Sequence, residues 1–231
     1  MAEPARNPPL QTSPYRLLVE GPDDKWVIVH LLARHGYSWD DAAVLRPFVQ
    51  DVGGVEKLSD RLVKAVLDKR RLGIVVDADD AAEKRWAQLR GLLGRLGLAP
   101  PPHPDPDGVI MEGQAPQSQV GIWLMPDNRE SGTLERFVAT LVPADDLCWD
   151  FAGESAKRAQ ARYLGQAAQQ QRACKDKDLS KSHLHTWLAW QKEPGLAMGT
   201  ALTAAALDHE SEAAQKFRDW FMRLFPRESA L

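Results

Sequence analysis

RLGIVVDADDAAEKRW, residues 71–86, is the stretch on which the reading of the whole chain turns. Gly73, Ile74, Val75 and Val76 form a β-branched run of the kind that sits buried in the middle of a parallel sheet, and it stops at Asp77 and Asp79. In open α/β sheets that carboxyl edge is where ligands bind. Two carboxylates spaced i, i+2 at a strand end can point at one small volume, where they repel unless a cation or a proton lies between them. An oxygen-preferring divalent ion such as Mg²⁺ meets that need. The competing reading is that Asp77 or Asp80 merely caps a helix beginning near Ala81, as Asp often does.

The same pattern recurs upstream. In YRLLVEG, Leu17, Leu18 and Val19 make a short buried strand that stops at Glu20 and Gly21. Pro22, Asp23 and Asp24 then open a helix, DDKWVIVHLLARHG, which Gly36 ends. Glu20 and Asp24 lie four apart across this turn, so both face the site of Asp77 if the two strands are neighbours. His30 and His35 on this helix read as structural rather than as ligands. AAVLRPFVQDVGG is a strand that Pro47 marks as kinked or near an edge and the Gly53-Gly54 pair ends. VEKLSDRLVKAVLDKR is an amphipathic helix through Val55, Leu58, Leu62, Val63, Val66 and Leu67, its Lys and Arg residues forming a solvated face. After DADD a further helix runs through Trp86, Leu89, Leu92, Leu93 and Leu96 to Gly97. The order βαβαβα implies a mainly parallel sheet.

Downstream, PPPHPDPDG cannot be regular structure, because Pro removes backbone donors and restricts the residue before it. A short edge strand is expected around Val109 to Met111, and the run from Val120 to Met125 is a third strand followed by acid, at Asp127. A helix starts after Ser131, with Glu135 in its first turns either as a metal-site residue or as an ordinary partner of the helix dipole. Beyond Pro143 strand signals vanish and helix formers dominate. Lys157, Arg158, Arg162, Arg172, Lys175, Lys177 and Lys181 make a dense basic region that reads as a phosphate contact or as a solvated helix face. Cys174, His183 and His185 match no usual zinc spacing. Trp187, Trp190, Phe217, Trp220, Phe221 and Phe225 recur at helical spacings and read as core. The expected organisation is a flexible tail over 1–14, an α/β core over 15–142 and a helical elaboration over 143–231 packed on that core.

Composition limits the function classes. The chain has 231 residues, 44% of them hydrophobic, enough for a normal core. A net charge of −3 gives no global basic field, so any contact with nucleic acid must come from a local patch or through metal. Two cysteines cannot make a disulfide framework, which favours a reducing cytoplasm. No apolar run approaches the ~20 residues needed to span a bilayer, so neither a membrane span nor a membrane partner is expected.

LLVEG with Asp24 four residues after Glu20, then GIVVDADD with Asp77 57 positions on from Glu20 (77 − 20), resembles the Toprim domain shared by topoisomerases, bacterial primases and overcoming-lysogenization-defect (OLD) nucleases. With FVQDVGG, VGIWLMPDN and HTWLAWQKEPGLAMG, the chain is also similar, over roughly residues 15–225, to a family of small stand-alone Toprim-like proteins. The resemblance implies a Rossmann-like, mainly parallel sheet flanked by helices, whose acidic edge binds Mg²⁺ or Mn²⁺. Carried over by position, the Toprim glutamate is Glu20 and the DxD pair is Asp77 and Asp79; Asp24 and Glu135 resemble further acidic positions of the nuclease branch, and Lys181 its late lysine. The implied activity is metal-dependent phosphodiester hydrolysis of nucleic acid, with Glu20, Asp77, Asp79 and Lys181 catalytic and Glu20, Asp24, Asp77, Asp79 and Glu135 on the metal. The alternative is a regulatory module that binds metal, nucleotide or nucleic acid with the same edge, acting with a partner protein. The chain departs from those nucleases in having no ATPase domain and from topoisomerases in having no strand-passing tyrosine context, so neither full activity is implied.

Overall fold

The computed structural model describes residues 13–41, 43–114, 118–166 and 179–229. It begins with β1 (Tyr15–Val19), α1 (Pro22–Arg34), β2 (Phe48–Asp51), a 3-10 turn (Val55–Lys57) running into α2 (Leu58–Asp68), β3 (Arg71–Asp77) and α3 (Ala82–Arg95). Then follow β4 (Val109–Glu112), β5 (Gln119–Met125), α4 (Leu134–Ala139), α5 (Trp149–Leu164), α6 (Ser180–Leu188), α7 (Met198–Thr203) and α8 (Glu212–Leu224). The strands form one sheet in the order β2-β1-β3-β5-β4, parallel except for β4, which pairs antiparallel to β5 at one edge. The expected α/β class with a mainly parallel sheet flanked by helices is therefore observed, and the strands leading to Glu20, Asp77 and Asp127 are neighbours.

Alternation along the strands sorts the core into two layers. Leu18, Leu72, Ile74, Val76, Val120, Ile122 and Leu124 face α2 and α3, where they meet Leu62, Val66, Trp86, Leu89 and Leu93. Leu17, Val19, Val75 and Trp123 face the other way, into a layer that combines α1 with Trp187, Phe217, Trp220, Phe221 and Leu224 of the last helices. Burial on both faces explains why the strands read as continuous apolar runs.

Two glycines in the middle of the sheet let α8 in. Gly73 and Gly121 are partners across β3 and β5, and a Cβ on Gly121 would lie 2.5 Å from Leu224 Cδ2. The Trp220 indole N–H donates to the Val109 carbonyl at 3.2 Å, and Trp123 meets Phe217 edge-on at 5.2 Å. Arg71 donates to the Leu224 carbonyl at 3.1 Å and pairs with Glu228 at 3.0 Å, so the carboxy-terminal helix is fastened to the start of β3 as well as packed on it.

Several local expectations need correction. Trp190 is not core: it is exposed, against the equally exposed Phe151. Val63 and Leu67 on α2 are also exposed, and Ala65 takes the buried position between Leu62 and Val66, because the inward stripe of this helix is narrower than its apolar content. His183 is structural, stacked on Trp149 at 3.7 Å and bonded through Nε2 to the Trp149 carbonyl at 2.8 Å. Cys174, Arg172, Lys175 and Lys177 lie outside the described residues, as does most of the expected tail. Ser13, its penultimate residue, is buried and donates to the Arg46 carbonyl at 2.6 Å. Among the described residues no helix is long and apolar enough to cross a membrane.

Candidate functional site at the carboxyl edge of the sheet

Where β1 and β3 end, side by side, two carboxylates meet. Glu20 turns over the end of β3 and its Oε1 accepts the Asp77 backbone N–H at 2.9 Å. The Glu20 carbonyl in turn accepts from Gly53 and Gly54 at 3.1 and 3.0 Å, so the loop after β2 holds this residue from the other side. Pro22 at the start of α1 brings Asp24 into the first helical turn, where it is buried and its Oδ2 accepts the Gly21 N–H at 3.1 Å.

The Asp77 carboxylate does cap a helix, though not the one expected. Oδ1 accepts the Leu134 N–H at 2.9 Å, at the start of α4, whereas the start of α3 is served by the Ser131 hydroxyl, which accepts from Ala82 at 3.2 Å. This contact brings α4, and with it Glu135, to the same edge. Glu135 is buried, accepts from the Thr133 hydroxyl at 2.6 Å, and pairs with Lys181 at 3.2 Å. Glu20, Asp24, Asp77 and Glu135 thus gather from β1, α1, β3 and α4, with Lys181 reaching in from α6.

Burial, and after it the neighbouring charges, raise the proton affinities of Glu20, Asp24 and Asp77. Burial lifts Asp77 to about 8, and the charges of Asp24, Glu20, Glu135 and Asp79 add to the lift. Asp24 rises to about 7, first by burial and then by the charge of Glu20, against the opposing Gly21 N–H bond. Glu20 is also raised by burial, with the Asp77 N–H and Arg85 pulling the other way. At neutral pH this edge therefore retains protons that ordinary carboxylates would have lost.

Two acidic residues stand apart from the four. Asp79 adopts a left-handed backbone conformation, φ 52°, donates its N–H to the Gly132 carbonyl at 2.9 Å, and turns its carboxylate to Arg85. Asp127, expected as a third acid at the strand ends, instead closes its own turn: Oδ1 accepts from Arg129 and Glu130 at 3.0 and 2.8 Å. Sequence reasoning missed Arg85, Thr133, Ser131 and the Gly53-Gly54 amides as parts of this edge. Arg85 had a signal, since a cation in the first turns of α3 runs against the helix dipole. The others had none, because they are joined to the site by contacts between distant segments.

The donor set suits a hard divalent cation. It consists of carboxylate oxygens, the ligands Mg²⁺ and Mn²⁺ prefer, and the buried Asp24 Oδ1 has no hydrogen-bond partner. Among the described residues no three acidic, His or Cys side chains already stand at metal-ligand spacing. Glu20, Asp24, Asp77 and Glu135 each have an oxygen turned to a protein donor instead.

Fold and site together define an α/β protein with a carboxylate-rich edge on a mostly parallel sheet. The chain belongs to the family described as "Protein of unknown function (DUF3226)", whose model matches residues 14–226. Searches among curated proteins and among solved structures returned no match.

Proposed function

We propose that this chain is a Toprim-like module that hydrolyses phosphodiester bonds of nucleic acid with Mg²⁺ or Mn²⁺. One observation carries the reading: Glu20, Asp24, Asp77 and Glu135 are brought from four elements to one edge, where burial, and after it the neighbouring carboxylates, raise Asp24 to about 7 and Asp77 to about 8. Such an arrangement is self-repelling unless a proton or a cation occupies it. Glu20, Asp24, Asp77 and Glu135 would hold the ion, with Asp79 joining on release from Arg85. When bound, the metal lowers the pKa of a coordinated water and neutralises charge on the phosphate oxygens.

The chain's own residues supply the rest. Where its carboxylate is not committed to the metal, Glu20, held on the Asp77 N–H, would instead accept or return a proton at the attacking water through its second oxygen. Lys181, half-exposed beside Glu135, and Arg85, beside Asp79, are the cations placed to meet negative charge growing on phosphorus. Burial of the acids on the sheet edge keeps these interactions in low dielectric, where they act most strongly.

The test is direct. Purified protein incubated with single-stranded DNA, duplex DNA and RNA in millimolar Mn²⁺ or Mg²⁺ should cleave at least one of them slowly, faster at low salt, and Glu20→Gln and Asp77→Asn should abolish cleavage. Metal should also raise the melting temperature of the parent protein and not that of Asp77→Asn. If all substrates survive while metal still stabilises the fold, the same edge serves as a metal-, nucleotide- or nucleic-acid-binding regulatory module. A melting curve unmoved by metal would remove the metal site altogether.

A further inference from the structure

The described residues contain a second charged concavity, beside the Gly53-Gly54 loop. It is a cleft of about 720 Å³ between α2 and the edge strand β2, and its lining includes Arg16, Lys57, Arg61, Lys64 and Lys69 against Asp60 and Asp68. Five cations less two carboxylates leaves a local charge of +3 on a chain whose net charge is −3. Lys57, Arg61 and Lys64 fall at i, i+4 and i+7, on one face of the helix and its leading turn, spread over ~10 Å at 1.5 Å per residue. None of these three makes an ion pair with a described residue, unlike Arg158 on α5, which pairs with Glu154 at 3.9 Å.

The floor of the cleft is built rather than incidental. Arg16 shares the sheet face of Leu18, donates to Gln50 Oε1 at 3.0 Å, and lies 5.6 Å over the ring of Phe48. Burial lowers the affinity of Arg16 for its proton, with Asp68 opposing and Arg61 adding to the shift, and burial and Arg16 lower that of Lys69 against the same Asp68. Like charges have been brought together here as they have at the carboxylate edge, with the sign reversed. The two sites adjoin, because Lys57 Nζ stands 3.4 Å from where a Cβ on Gly53 would begin, and Gly53 and Gly54 are bonded to the Glu20 carbonyl.

We propose that this cleft binds the sugar-phosphate backbone of single-stranded nucleic acid and holds it beside the Gly53-Gly54 loop, where the Lys57 ammonium lies against Gly53 and the Glu56 carboxylate against Gly54, next to the carboxylate edge. This names the substrate form for the proposed nuclease and rests on that reading for its purpose, though not for its binding. The spread of cations meets more than one phosphate of an extended chain, and the volume falls within the range of pockets that enclose small organic ligands. An extended single strand, unlike the stiff convex rod of a duplex, can bend its backbone to follow a concave lining.

The experiment is fluorescence anisotropy with labelled dT20 at low salt in EDTA, where no cleavage can occur. The double variant Arg61→Glu/Lys64→Glu, both on the exposed face of α2, should melt with the parent protein yet bind at least ~10-fold more weakly and with a salt slope shallower by ~1–2. If that charge reversal disturbs the melt, Arg61→Gln/Lys64→Gln is read in its place. The proposal is overturned if the parent protein does not bind dT20, if the α2 variant loses less than ~3-fold, or if Arg158→Glu/Arg162→Glu on α5 loses as much. It is also overturned if a duplex of equal length or tripolyphosphate binds as tightly as dT20. Asp77→Asn should keep its affinity in EDTA; binding through α2 with no cleavage in Mn²⁺ would end the nuclease reading and leave the cleft standing.

Discussion

The middle of β3 and its end are only four residues apart and embody opposite solutions. At Gly73 and Gly121 the sheet gives up side chains so that Leu224 and Phe225 can press against the backbone, and everything within reach is apolar. At Asp77 the same strand delivers a charge into a buried place that already contains Glu20 and Asp24. The first arrangement maximises contact in a dry interior; the second holds like charges at a distance where only a proton or a cation relieves them. The contrast teaches that the fold's stability comes from the middle of the sheet and is partly given back at its edge.

The largest expected effect is in the middle. Gly121→Val would put methyl groups into the space of Leu224, forcing α8 away from the sheet at about 3 kcal/mol, a drop of roughly 6–12 °C in melting temperature for a chain of this size. A melt within a degree or two of the parent would mean that α8 is not seated as described.

At the edge the sign is reversed, and pH exposes it. In the unfolded chain Asp24 and Asp77 lose their protons near pH 4, whereas in the fold they keep them until about 7 and about 8. The native state binds more protons than the unfolded state between those limits, so stability falls as pH rises through them. Between pH 7 and pH 9 in EDTA, above the titration of His30 and His35, whose proton affinity burial lowers, the protein should lose on the order of 1–2 kcal/mol. Millimolar Mg²⁺ or Mn²⁺ should restore it. Stability that is flat or rising over this window, measured by urea titration, would contradict the clustering of the acids.

Asp77→Asn sharpens the same point. The amide oxygen can still accept the Leu134 N–H while the charge is gone, so the variant should be more stable than the parent at both pH 7 and pH 9, with a margin that grows by roughly 1 kcal/mol between them. A loss of stability at both pH values would show that Asp77 acts chiefly as a helix cap. The smallest effect is expected for Lys181→Met: its ion pair with Glu135 is half-exposed, so stability should change by less than ~1 kcal/mol, and the readout is the loss of any cleavage activity.

Much of this was legible from local pattern. Apolar runs ending at Glu20 and Asp77, each followed by helix-opening residues, are enough to give parallel strands with acids at one edge, because period and punctuation are properties of short segments. Asp127 looked the same and was not, since an Asp two residues before a free backbone N–H closes its own turn. Asp79 was part of the motif, but its left-handed backbone and Arg85 decide where its carboxylate goes. Density of basic residues along the chain points to the region around and after α5. The cations of α2 read as a solvated face, and the cleft they line is closed by Arg16 and Phe48 from β1 and β2, which no linear count can add.

The sequence by itself determined the class of fold and that Glu20, Asp24 and Asp77 stand at strand ends and helix starts, because each of those placements depends on residues within a turn or two, while the pairing of β1 with β3 put them on one edge. Only the tertiary structure decided that α4 brings Glu135 onto that edge, that Lys181 reaches it from α6, and that a positive cleft adjoins it across Gly53 and Gly54. Those juxtapositions are set by the packing of helices on a sheet, where residues far apart in the chain are held together by burial that no local stretch can specify.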